Sequence, residues 1–392
     1  MTHRVLVVFG TRPEAIKLAP VLVQLERSPL FEPVVVVTGQ HREMLAQVLD
    51  LFSIVPDHDL EILEPRQSLT SITTRALAGL EPFFATARPD AVIVQGDTST
   101  TFAAALEAFY HRVPVVHVEA GLRTCDLDSP YPEEANRQLT ARLTSLHLAP
   151  TLGNKANLVA ENIDPTSIVV TGNTVVDALL QAVELSGDYG DPALADLDED
   201  RRRVILVTAH RRESWGEGHA AIGRALAEIA RTEPDVLIVF PIHRNPIVRE
   251  QIQPAVADLA NVRIVEPLEY RGLVRLMRRA HLVLTDSGGI QEEAPSLGKP
   301  VLVLRDTTER PEAIAAGTVR LVGTEETNIV GAVRTLLHDE TEYAAMANAV
   351  NPYGDGYAAE RTVAALAHFF GHGERPEEFA PELPRPSELL AA

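Results

Sequence analysis

Short apolar runs, mostly of β-branched residues, recur along the chain, and each is followed by a segment with the spacing of a helix. Strands that are apolar at consecutive positions are typical of parallel sheets covered by helices on both faces. The pattern therefore predicts a succession of βαβ units. The predicted strands are Val5–Phe9, Val34–Val37, Ala91–Val94, Val115–Val118, Ile168–Val170, Val204–Val207, Val236–Phe240, Val262–Val265, Leu282–Leu284, Val301–Leu304 and Val319–Val322.

The number of these strands favours two sheets, because one open sheet seldom contains so many. A length of 392 residues also exceeds that of one compact domain. We therefore predict an α/β fold of two Rossmann-like doubly wound domains, residues 1–172 and 173–352, that face each other across a cleft. Residues 372–392 lack helical periodicity and are expected to form a loosely ordered tail. Ligands in such folds bind in the loops that follow the strands.

The charge balance and the single cysteine restrict the function. A formal net charge of −20 argues against nucleic acid and anionic membrane surfaces as partners. An anionic substrate would need positive groups gathered locally. Cys125, the one cysteine, excludes an intrachain disulfide and a cysteine cluster for zinc. The apolar run near Met1 is too short for a signal peptide or a membrane span, so we expect a cytoplasmic protein.

The loop after the first strand has the features of an anion site. Thr11 and Glu14 have the spacing of a capping box, and Pro13 suits the first turn of a helix. The free N–H groups of that turn, together with Arg12 and Lys17, would attract a phosphate. The alternative is that both cations are ordinary solvated residues, although lysine is scarce in this chain.

Three acidic residues stand where the chain leaves strands of the first domain or opens a helix there. Asp97 and Glu119 follow strands, and Glu133 opens a helix. Each has a structural alternative: Asp97 could cap a helix, Glu119 could pair with Arg123, and one of Glu133 and Glu134 could serve the helix dipole. Several acids in one cleft can nevertheless have different pKa values and supply both an acid and a base.

The first strand of the second domain leads into a cationic loop that contains His210 and Arg211. A metal site is not favoured, because no second histidine or carboxylate stands at a ligand spacing. The loop is better suited to phosphate contact or proton transfer. His243 follows the next strand, where a capped turn is the alternative interpretation.

The loop of residues 286–293 has the strongest nucleotide-binding features. Gly288 and Gly289 at a helix start would let a phosphate approach bare N–H groups, and Ser287 adds a donor. Glu293, one turn later, could accept both hydroxyls of a ribose. The loop is neither a dinucleotide-binding GxGxxG fingerprint nor a Walker loop, so hydride transfer and ATP hydrolysis lose support. Arg310 follows a neighbouring strand, and a simple tight turn is the alternative for the two glycines.

Longer strings in these loops identify a family. They are Phe9–Ala19 (FGTRPEAIKLA), Thr38–Leu45 (TGQHREML), Gln95–Thr98 (QGDT), His117–Thr124 (HVEAGLRT), Pro132–Arg137 (PEEANR), His210–Ser214 (HRRES), Asp286–Val303 (DSGGIQEEAPSLGKPVLV), Arg305–Pro311 (RDTTERP) and Asn351–Gly356 (NPYGDG). With them the chain resembles the bacterial non-hydrolysing UDP-N-acetylglucosamine 2-epimerases from residue 3 to about residue 370.

The resemblance implies a GT-B-like arrangement of the two domains, a homodimer, and a helix at 353–371 that crosses back to the first domain. It implies the interconversion of UDP-GlcNAc and UDP-ManNAc with no cofactor and no metal. In the implied mechanism the C2 proton is removed while UDP leaves anti to it. The resulting 2-acetamidoglucal then takes UDP back, and a proton reaches the opposite face of C2.

The resemblance also implies roles for individual residues. The catalytic residues would be Asp97, Glu119, Glu133 and His210, with the face of C2 that each carboxylate serves left open. The residues that bind the UDP-sugar would be Arg12, Lys17, Leu268, Leu273, Ser287, Gly288, Gly289, Glu293 and Arg310. An activating second UDP-GlcNAc would contact Gln40, Arg66, Arg211 and His243. Leu273 is a departure, since some members have phenylalanine near the uracil.

Three alternatives remain at this point. A 2-epimerase for UDP-2,3-diacetamido-glucuronic acid would share the fold, but extra cations for its C6 carboxylate are not identifiable. A GT-B glycosyltransferase would share the nucleotide site but need an acceptor cleft. A catalytically silent sugar-nucleotide sensor would be indicated by loss of Asp97, Glu119 or His210, and all three are present.

Overall fold

A computed structural model describes residues 2–39, 42–64, 67–185, 187–308 and 310–381. The chain divides into two compact units: unit 1 is Met1–Leu180 with Tyr353–Ala380, and unit 2 contains Gln181–Pro352. The sequence predicts a boundary at residues 172 and 173, whereas the structural division falls later. The reason is local, because Thr174–Glu184 is one continuous helix that contains the division.

Unit 1 contains a parallel sheet whose strand order is β3-β2-β1-β4-β5-β6-β7. Its central strands are buried along most of their length, as the apolar runs require. The strands are β1 (His3–Phe9), β2 (Phe31–Val37), β3 (His58–Asp59), β4 (Ala91–Gln95), β5 (Val115–Val118), β6 (Leu146–Ala149) and β7 (Ile168–Val170). The helices are α1 (Arg12–Arg27), α2 (Arg42–Leu51), α3 (Leu69–Ala87), α4 (Ser99–Tyr110), α5 (Glu133–Leu143), α6 (Leu152–Ala160) and α7 (Thr174–Glu184).

Unit 2 contains a second parallel sheet, with strand order β10-β9-β8-β11-β12-β13. The strands are β8 (Arg203–Thr208), β9 (Val236–Pro241), β10 (Val262–Val265), β11 (Leu282–Thr285), β12 (Val301–Val303) and β13 (Val319–Leu321). The helices are α8 (Glu217–Thr232), α9 (Pro246–Val256), α10 (Tyr270–Arg279), α11 (Gly288–Glu293), α12 (Pro311–Ala315), α13 (Glu326–His338) and α14 (Glu340–Ala347). The last helix of the chain, α15 (Ala358–Phe369), belongs to unit 1.

The strand order places the candidate loops. In each sheet the order reverses beside the first strand, so β1 lies next to β4 and β8 lies next to β11. Such a reversal opens a crevice at the C-terminal ends of the two strands, where ligands of doubly wound sheets bind. In unit 1 the loops there begin at Gly10 and Gly96, and in unit 2 they begin at Ala209 and Asp286.

The predicted α/β class with two doubly wound sheets is confirmed, and every predicted strand overlaps an observed one. Two strands escape the sequence pattern. β3 has only two residues, both exposed, so it has no apolar run to detect. β6 is short and is interrupted by His147, whose imidazole is buried within the sheet.

The chain returns to unit 1 through α15, which packs against α1. Asp177 accepts hydrogen bonds from the N–H groups of Ala358 (3.2 Å) and Ala359 (2.7 Å), at the start of this helix. Because the carboxyl group comes from another element, it fixes where the returning helix begins.

The segment after α15 differs from the loosely ordered tail that the sequence predicts from residue 372. The guanidinium of Arg375 donates to the carbonyl of Thr166, and Lys155 pairs with Glu378 at 2.8 Å. The amide of Phe379 donates to the carbonyl of Val170, and its ring is buried. These contacts attach residues 375–379 to unit 1. They are long-range, so neither local periodicity nor composition could reveal them.

Within the described ranges, no helix combines the length and the apolar character needed to cross a membrane.

Gly121, in the backbone that follows β5, is packed closely enough for a substitution to test the packing of unit 1. Gly121 has φ +93°, and an added Cβ would lie 2.3 Å from the backbone oxygen of Asn154. We expect Gly121→Ala to cost about 1 kcal/mol of left-handed strain and roughly 2–3 kcal/mol more from the clash.

The matched control is Gly371→Ala in the same unit, where φ is +79° but no atom lies within 4 Å of the added Cβ. Thermal unfolding should place Tm of Gly121→Ala roughly 5 °C or more below that of the control. Equal melting temperatures would contradict this packing.

Candidate active site

Glu119 is the centre of a polar cluster in unit 1. The ammonium of Lys17 lies 2.5 Å from its Oε1, and the side-chain amide of Asn173 donates to the same oxygen at 3.1 Å. The amide of Gln95 donates to Oε2. The partners come from α1, the end of β4 and the loop after β7, so one carboxylate joins three parts of the sheet edge. The predicted Glu119–Arg123 pair is wrong, because Arg123 pairs with Glu161.

The backbone of Glu119 is itself unusual. Its φ of +65° lies in the left-handed region, which non-glycine residues seldom enter. Such a conformation costs of order 1–3 kcal/mol and persists only where surrounding contacts enforce it. The strain sits at the residue whose carboxylate is held by the cluster, as is common at functional sites.

Asp97 forms an ion pair with Arg137, whose Nη2 lies 2.6 Å from the carboxylate. Burial raises the pKa of Asp97 above its ordinary value, Arg137 opposes that rise, and the charge of Glu119 adds to it. The interpretation of Asp97 as a helix cap is wrong. The residue that caps α4 is Thr98, whose hydroxyl accepts from the amide of Thr101.

The two glutamates that open α5 have different environments. Glu134 is fully buried and accepts from the amide of Thr124 (3.1 Å) and from Arg137 (3.1 Å). Burial alone would raise its pKa, but the hydrogen bonds lower it overall. Glu134 therefore has the structural role that the sequence assigns to one of the pair. Glu133 is half-buried, and its side chain has no hydrogen-bond or ion-pair partner among the described residues.

Glu14 forms the capping box that its spacing predicts, and it also accepts hydrogen bonds from residues that follow β4. Its Oε2 accepts from the amides of Gly10 (3.0 Å) and Thr11 (2.8 Å). Its Oε1 accepts from the hydroxyls of Thr98 (2.7 Å) and Thr101 (3.1 Å). Burial raises the pKa of Glu14 although these bonds oppose the rise. The carboxyl group thus links the loop after β1, which leads into the helix that carries Arg12 and Lys17, to the loop that carries Asp97.

In unit 2, Asp286 holds the loop that contains His210. Its Oδ2 accepts from the amides of His210 (2.6 Å) and Arg211 (2.7 Å), and Nδ1 of His210 lies 2.8 Å from Oδ1. Burial would raise the pKa of Asp286, but the contacts with His210 lower it overall. Asp286 is buried, whereas 39% of the His210 side chain is exposed. The carboxylate therefore orients the imidazole and leaves its other edge accessible.

The loop of unit 2 that contains Gly288 and Gly289 packs against the guanidinium of Arg310. A Cβ on Gly288 would lie 2.6–2.9 Å from the guanidinium atoms of Arg310, so only glycine allows this approach. Arg310 in turn pairs with Glu292 at 2.6 Å, and both side chains are largely buried. Ser287 is the N-cap residue of α11, so the bare N–H groups and the guanidinium lie together. This is a suitable cradle for a phosphate.

The residues predicted to hold a nucleoside lie nearby in unit 2. Glu293 is buried and accepts from the hydroxyl of Tyr270 at 2.7 Å, which orients the carboxylate. Gly289 lies beside it, since a Cβ there would be 3.6 Å from Oε2 of Glu293. Leu268 and Leu273 are both half-buried and flank the start of α10. The sequence gives no signal for Tyr270 as the partner of Glu293.

Known proteins with the same features settle the family. A sequence profile for UDP-N-acetylglucosamine 2-epimerase matches residues 23–367. The UDP-N-acetylglucosamine 2-epimerase of Escherichia coli K12 is 57% identical over 369 residues, covering 93% of this chain and 98% of the relative. The chain belongs to the UDP-N-acetylglucosamine 2-epimerase family.

Solved structures agree with this assignment. The UDP-GlcNAc 2-epimerase of Neisseria meningitidis, crystallised with UDP-GlcNAc, matches with a TM-score of 0.85 and 50% identity over 93% of this chain and 100% of that one. The enzyme of Methanocaldococcus jannaschii, in complex with UDP-GlcNAc and UDP, matches with a TM-score of 0.77 and 34% identity over 93% and 99%. The predicted resemblance and the predicted enzyme class, an isomerase, are confirmed.

Some of the predicted site residues are neighbours within each unit. Unit 1 brings together Lys17, Asp97 and Glu119, and unit 2 brings together Gly288 and Arg310. Of the predicted activator residues, Arg211 adjoins His210, and the ring of His243 stacks on that of His210 at 5.8 Å. Gln40 and Arg66 lie outside the described residues, so the activator site stays a prediction. No group of three His, Cys, Asp or Glu within the described ranges could hold a metal ion.

Four residues that contact the predicted catalytic carboxylates are not indicated by the sequence pattern: Gln95, Asn136, Arg137 and Asn173. The amide of Asn136 donates to the backbone carbonyl of Asp97 at 2.9 Å. Gln95 and Arg137 stand inside motifs that carry the family resemblance, but their pairing with one particular carboxylate depends on long-range geometry.

His117 supplies a pH-dependent prediction. Its imidazole is buried, and Nε2 donates to the carbonyl of Gly96 at 2.7 Å, beside Asp97. Burial lowers the pKa of His117 to about 4. The folded state therefore resists protonation. The neutral ring of His117 therefore contributes to the stability of the folded state. This contribution is fully present above the unfolded pKa of about 6.5 and is lost as the pH falls towards 4.

Histidine-selective ¹⁵N NMR, with His117→Gln to assign the signal, should show a neutral ring from pH 8 down to about pH 5. A midpoint near the ordinary histidine value of about 6.5 would contradict this environment.

Proposed function

We propose that this chain catalyses the reversible epimerisation of UDP-GlcNAc and UDP-ManNAc at C2. The observation that carries the proposal is the cluster of acid/base carboxylates with Lys17 at the C-terminal edge of the first sheet. Membership of the epimerase family supports the substrate, because relatives have been crystallised with UDP-GlcNAc and UDP.

The proposed reaction proceeds by anti elimination and re-addition. The C2–H bond gives its electron pair to a new C1–C2 double bond while the C1–O bond breaks. The oxygen keeps the C1–O pair and leaves as UDP, and the proton passes to a carboxylate. Re-addition of UDP to 2-acetamidoglucal, with protonation from the opposite face of C2, gives the epimer. The C2 proton is not acidic, so stabilisation of the departing UDP must supply much of the rate enhancement.

The environments of the carboxylates suit different parts of this chemistry. Asp97, whose pKa is raised by burial, is suited to hold a proton and return it. Glu119 is held against Lys17 and is suited to act as a fixed carboxylate. Glu133, without a partner among the described residues, is free to exchange a proton with substrate. An acid and a base are both needed, because the proton leaves one face of C2 and arrives at the other.

Unit 2 is proposed to bind and stabilise UDP. The N–H groups at Gly288 and Gly289 and the guanidinium of Arg310 would contact the phosphates. His210, oriented by Asp286, would donate to the oxygen that leaves C1. In unit 1, Arg12 and Lys17 would add positive charge for an anionic substrate.

The test of the function is proton NMR of the purified protein with UDP-GlcNAc in D2O, without added cofactor. We expect UDP-ManNAc signals to grow and deuterium to enter C2 of both sugars. Asp97→Asn should lower kcat at least about 100-fold, because the amide cannot transfer the proton.

No reaction of the wild-type protein with UDP-GlcNAc would contradict the proposal. Turnover of UDP-2,3-diacetamido-glucuronic acid in the same assay would then identify the alternative substrate.

The phosphate site is tested by a pair of glycine variants. Gly288→Ala should weaken UDP binding by about 10-fold or more, because the methyl group displaces Arg310, a charge-assisted donor. Gly289→Ala should have a smaller effect, since its Cβ would meet Glu293 at an ordinary distance of 3.6 Å. Isothermal titration calorimetry with UDP measures both. Equal loss in the two variants would contradict the proposed role of Arg310.

We also propose a homodimer, as the family resemblance implies, formed through α4 and α5. Phe109 (56% exposed), Tyr110 (65%) and Leu139 (50%) expose large apolar surfaces on these two helices, which pack together. Light scattering should give a dimer for the wild type and a monomer for Phe109→Glu with Tyr110→Glu. The control is Leu152→Glu on α6, also 56% exposed, which should stay dimeric. A monomeric wild type would contradict the proposal.

A further inference from the structure

Asn173 follows β7 and contacts two other parts of unit 1, the segment that returns at Tyr353 and the Glu119 carboxylate. It is 3% exposed, and it begins the turn that leads into α7. Its backbone amide donates to the carbonyl of Tyr353 at 2.6 Å, at the start of the segment that returns to unit 1. Its side-chain amide donates to Oε1 of Glu119 at 3.1 Å. One residue thus contacts both the returning segment and the catalytic cluster.

The side chain of Asn173 is fixed by more than Glu119. Its Oδ1 accepts from the amide of Val175 at 3.1 Å, so the carboxamide cannot turn without breaking a helix-capping bond. The arrangement also determines which end of the carboxamide faces Glu119. With Oδ1 at the helix, the NH₂ group must point at the carboxylate.

The close approach of the returning segment supports this geometry. A Cβ on Gly354 would lie 3.2 Å from Val176 and 3.4 Å from the carbonyl oxygen of Asn173. Asp177 holds the next turn of the same segment through Ala358 and Ala359. The backbone on both sides of Asn173 is therefore packed firmly, and its amide has little freedom to follow a moving carboxylate.

From these contacts we propose that Asn173 is a positioning residue for the epimerisation, which fixes the orientation of the Glu119 carboxylate. The inference rests on the proposed function for the role of Glu119. Lys17 supplies charge to the same oxygen, but its flexible stem allows several directions, whereas the capped carboxamide allows one. The strained φ of +65° at Glu119 requires contacts that hold the residue there, and the capped carboxamide of Asn173 supplies one of them.

Two substitutions separate the positioning role from the structural one. Asn173→Ser keeps the backbone bond to Tyr353 and retains a hydroxyl to cap Val175, but it removes the donor to Glu119. Asn173→Asp keeps the shape and the cap and places a carboxylate against Glu119. Asn154→Ser is the matched control, because Asn154 is another buried asparagine of unit 1 whose side chain accepts from Thr151.

Kinetics in the NMR assay should show kcat of Asn173→Ser about 10-fold lower, with KM within about twofold, as expected for loss of a charge-assisted hydrogen bond. Asn154→Ser should keep the wild-type kcat. Asn173→Asp should also move the acidic limb of the pH profile to higher pH, because a like charge disfavours ionised Glu119. The charged and titratable groups that the described residues place around Glu119 include Lys17, Asp97 and His117, and none of these variants changes them.

Crystal structures of the wild type and Asn173→Ser supply a readout that needs no turnover. We expect the Glu119 carboxylate to leave its position in the variant while Tyr353 and α7 stay in place. An unmoved carboxylate, or a wild-type kcat and pH profile in both Asn173 variants, would overturn the inference. A wild-type protein inactive on UDP-GlcNAc would instead overturn the proposed function, and the crystal structures would then decide the inference.

Discussion

An ionised carboxylate is costly inside a protein unless donors surround it, and this constraint organises the edge of the first sheet. Glu14, Glu119 and Glu134 are all buried or nearly so, and each accepts several hydrogen bonds from separate elements. Glu14 joins the loops after β1 and β4, and Glu119 joins those two regions to the loop after β7. The need to satisfy these groups therefore fixes the positions of the loops that carry the proposed catalytic residues.

The same constraint explains why similar residues have different roles. Glu133 and Glu134 are adjacent, yet only Glu134 is buried and held by several hydrogen bonds, so Glu133 is the one proposed to meet substrate. In unit 2 the buried Asp286 orients His210, and the buried Glu292 holds Arg310 beside Gly288. In each case a buried carboxylate holds a cationic or titratable side chain. The side chains proposed to form the site are thus held in place by supporting partners, an arrangement that suits electrostatic catalysis.

The sequence predicts much of this account because its signals are local. Apolar runs locate the strands, and the order of parallel strands brings the loops after β1, β4, β8 and β11 to two crevices. The capping box at Thr11 and Glu14 and the glycines at 288 and 289 are also local patterns. The sequence does not show which charged and polar side chains pair with each other across the fold. Nothing near Asp97 in the chain marks Arg137 as its partner.

Long-range contacts account for the errors as well. The interpretation that Glu119 pairs with Arg123 follows from their proximity in sequence, but the left-handed turn at Glu119 directs it to Lys17 instead. The segment after α15 has the composition of a loose tail, and it is held by contacts with Thr166 and Lys155 from distant parts of unit 1.

Positional isotope exchange tests directly whether UDP leaves C1 and returns during each turnover. UDP-GlcNAc labelled with ¹⁸O in the bridge between C1 and the β-phosphate is incubated with the protein and followed by ³¹P NMR. If UDP departs and returns, the label scrambles into the non-bridging positions of the β-phosphate while UDP-ManNAc forms. Epimerisation with the label fully retained in the bridge over many turnovers would contradict this mechanism.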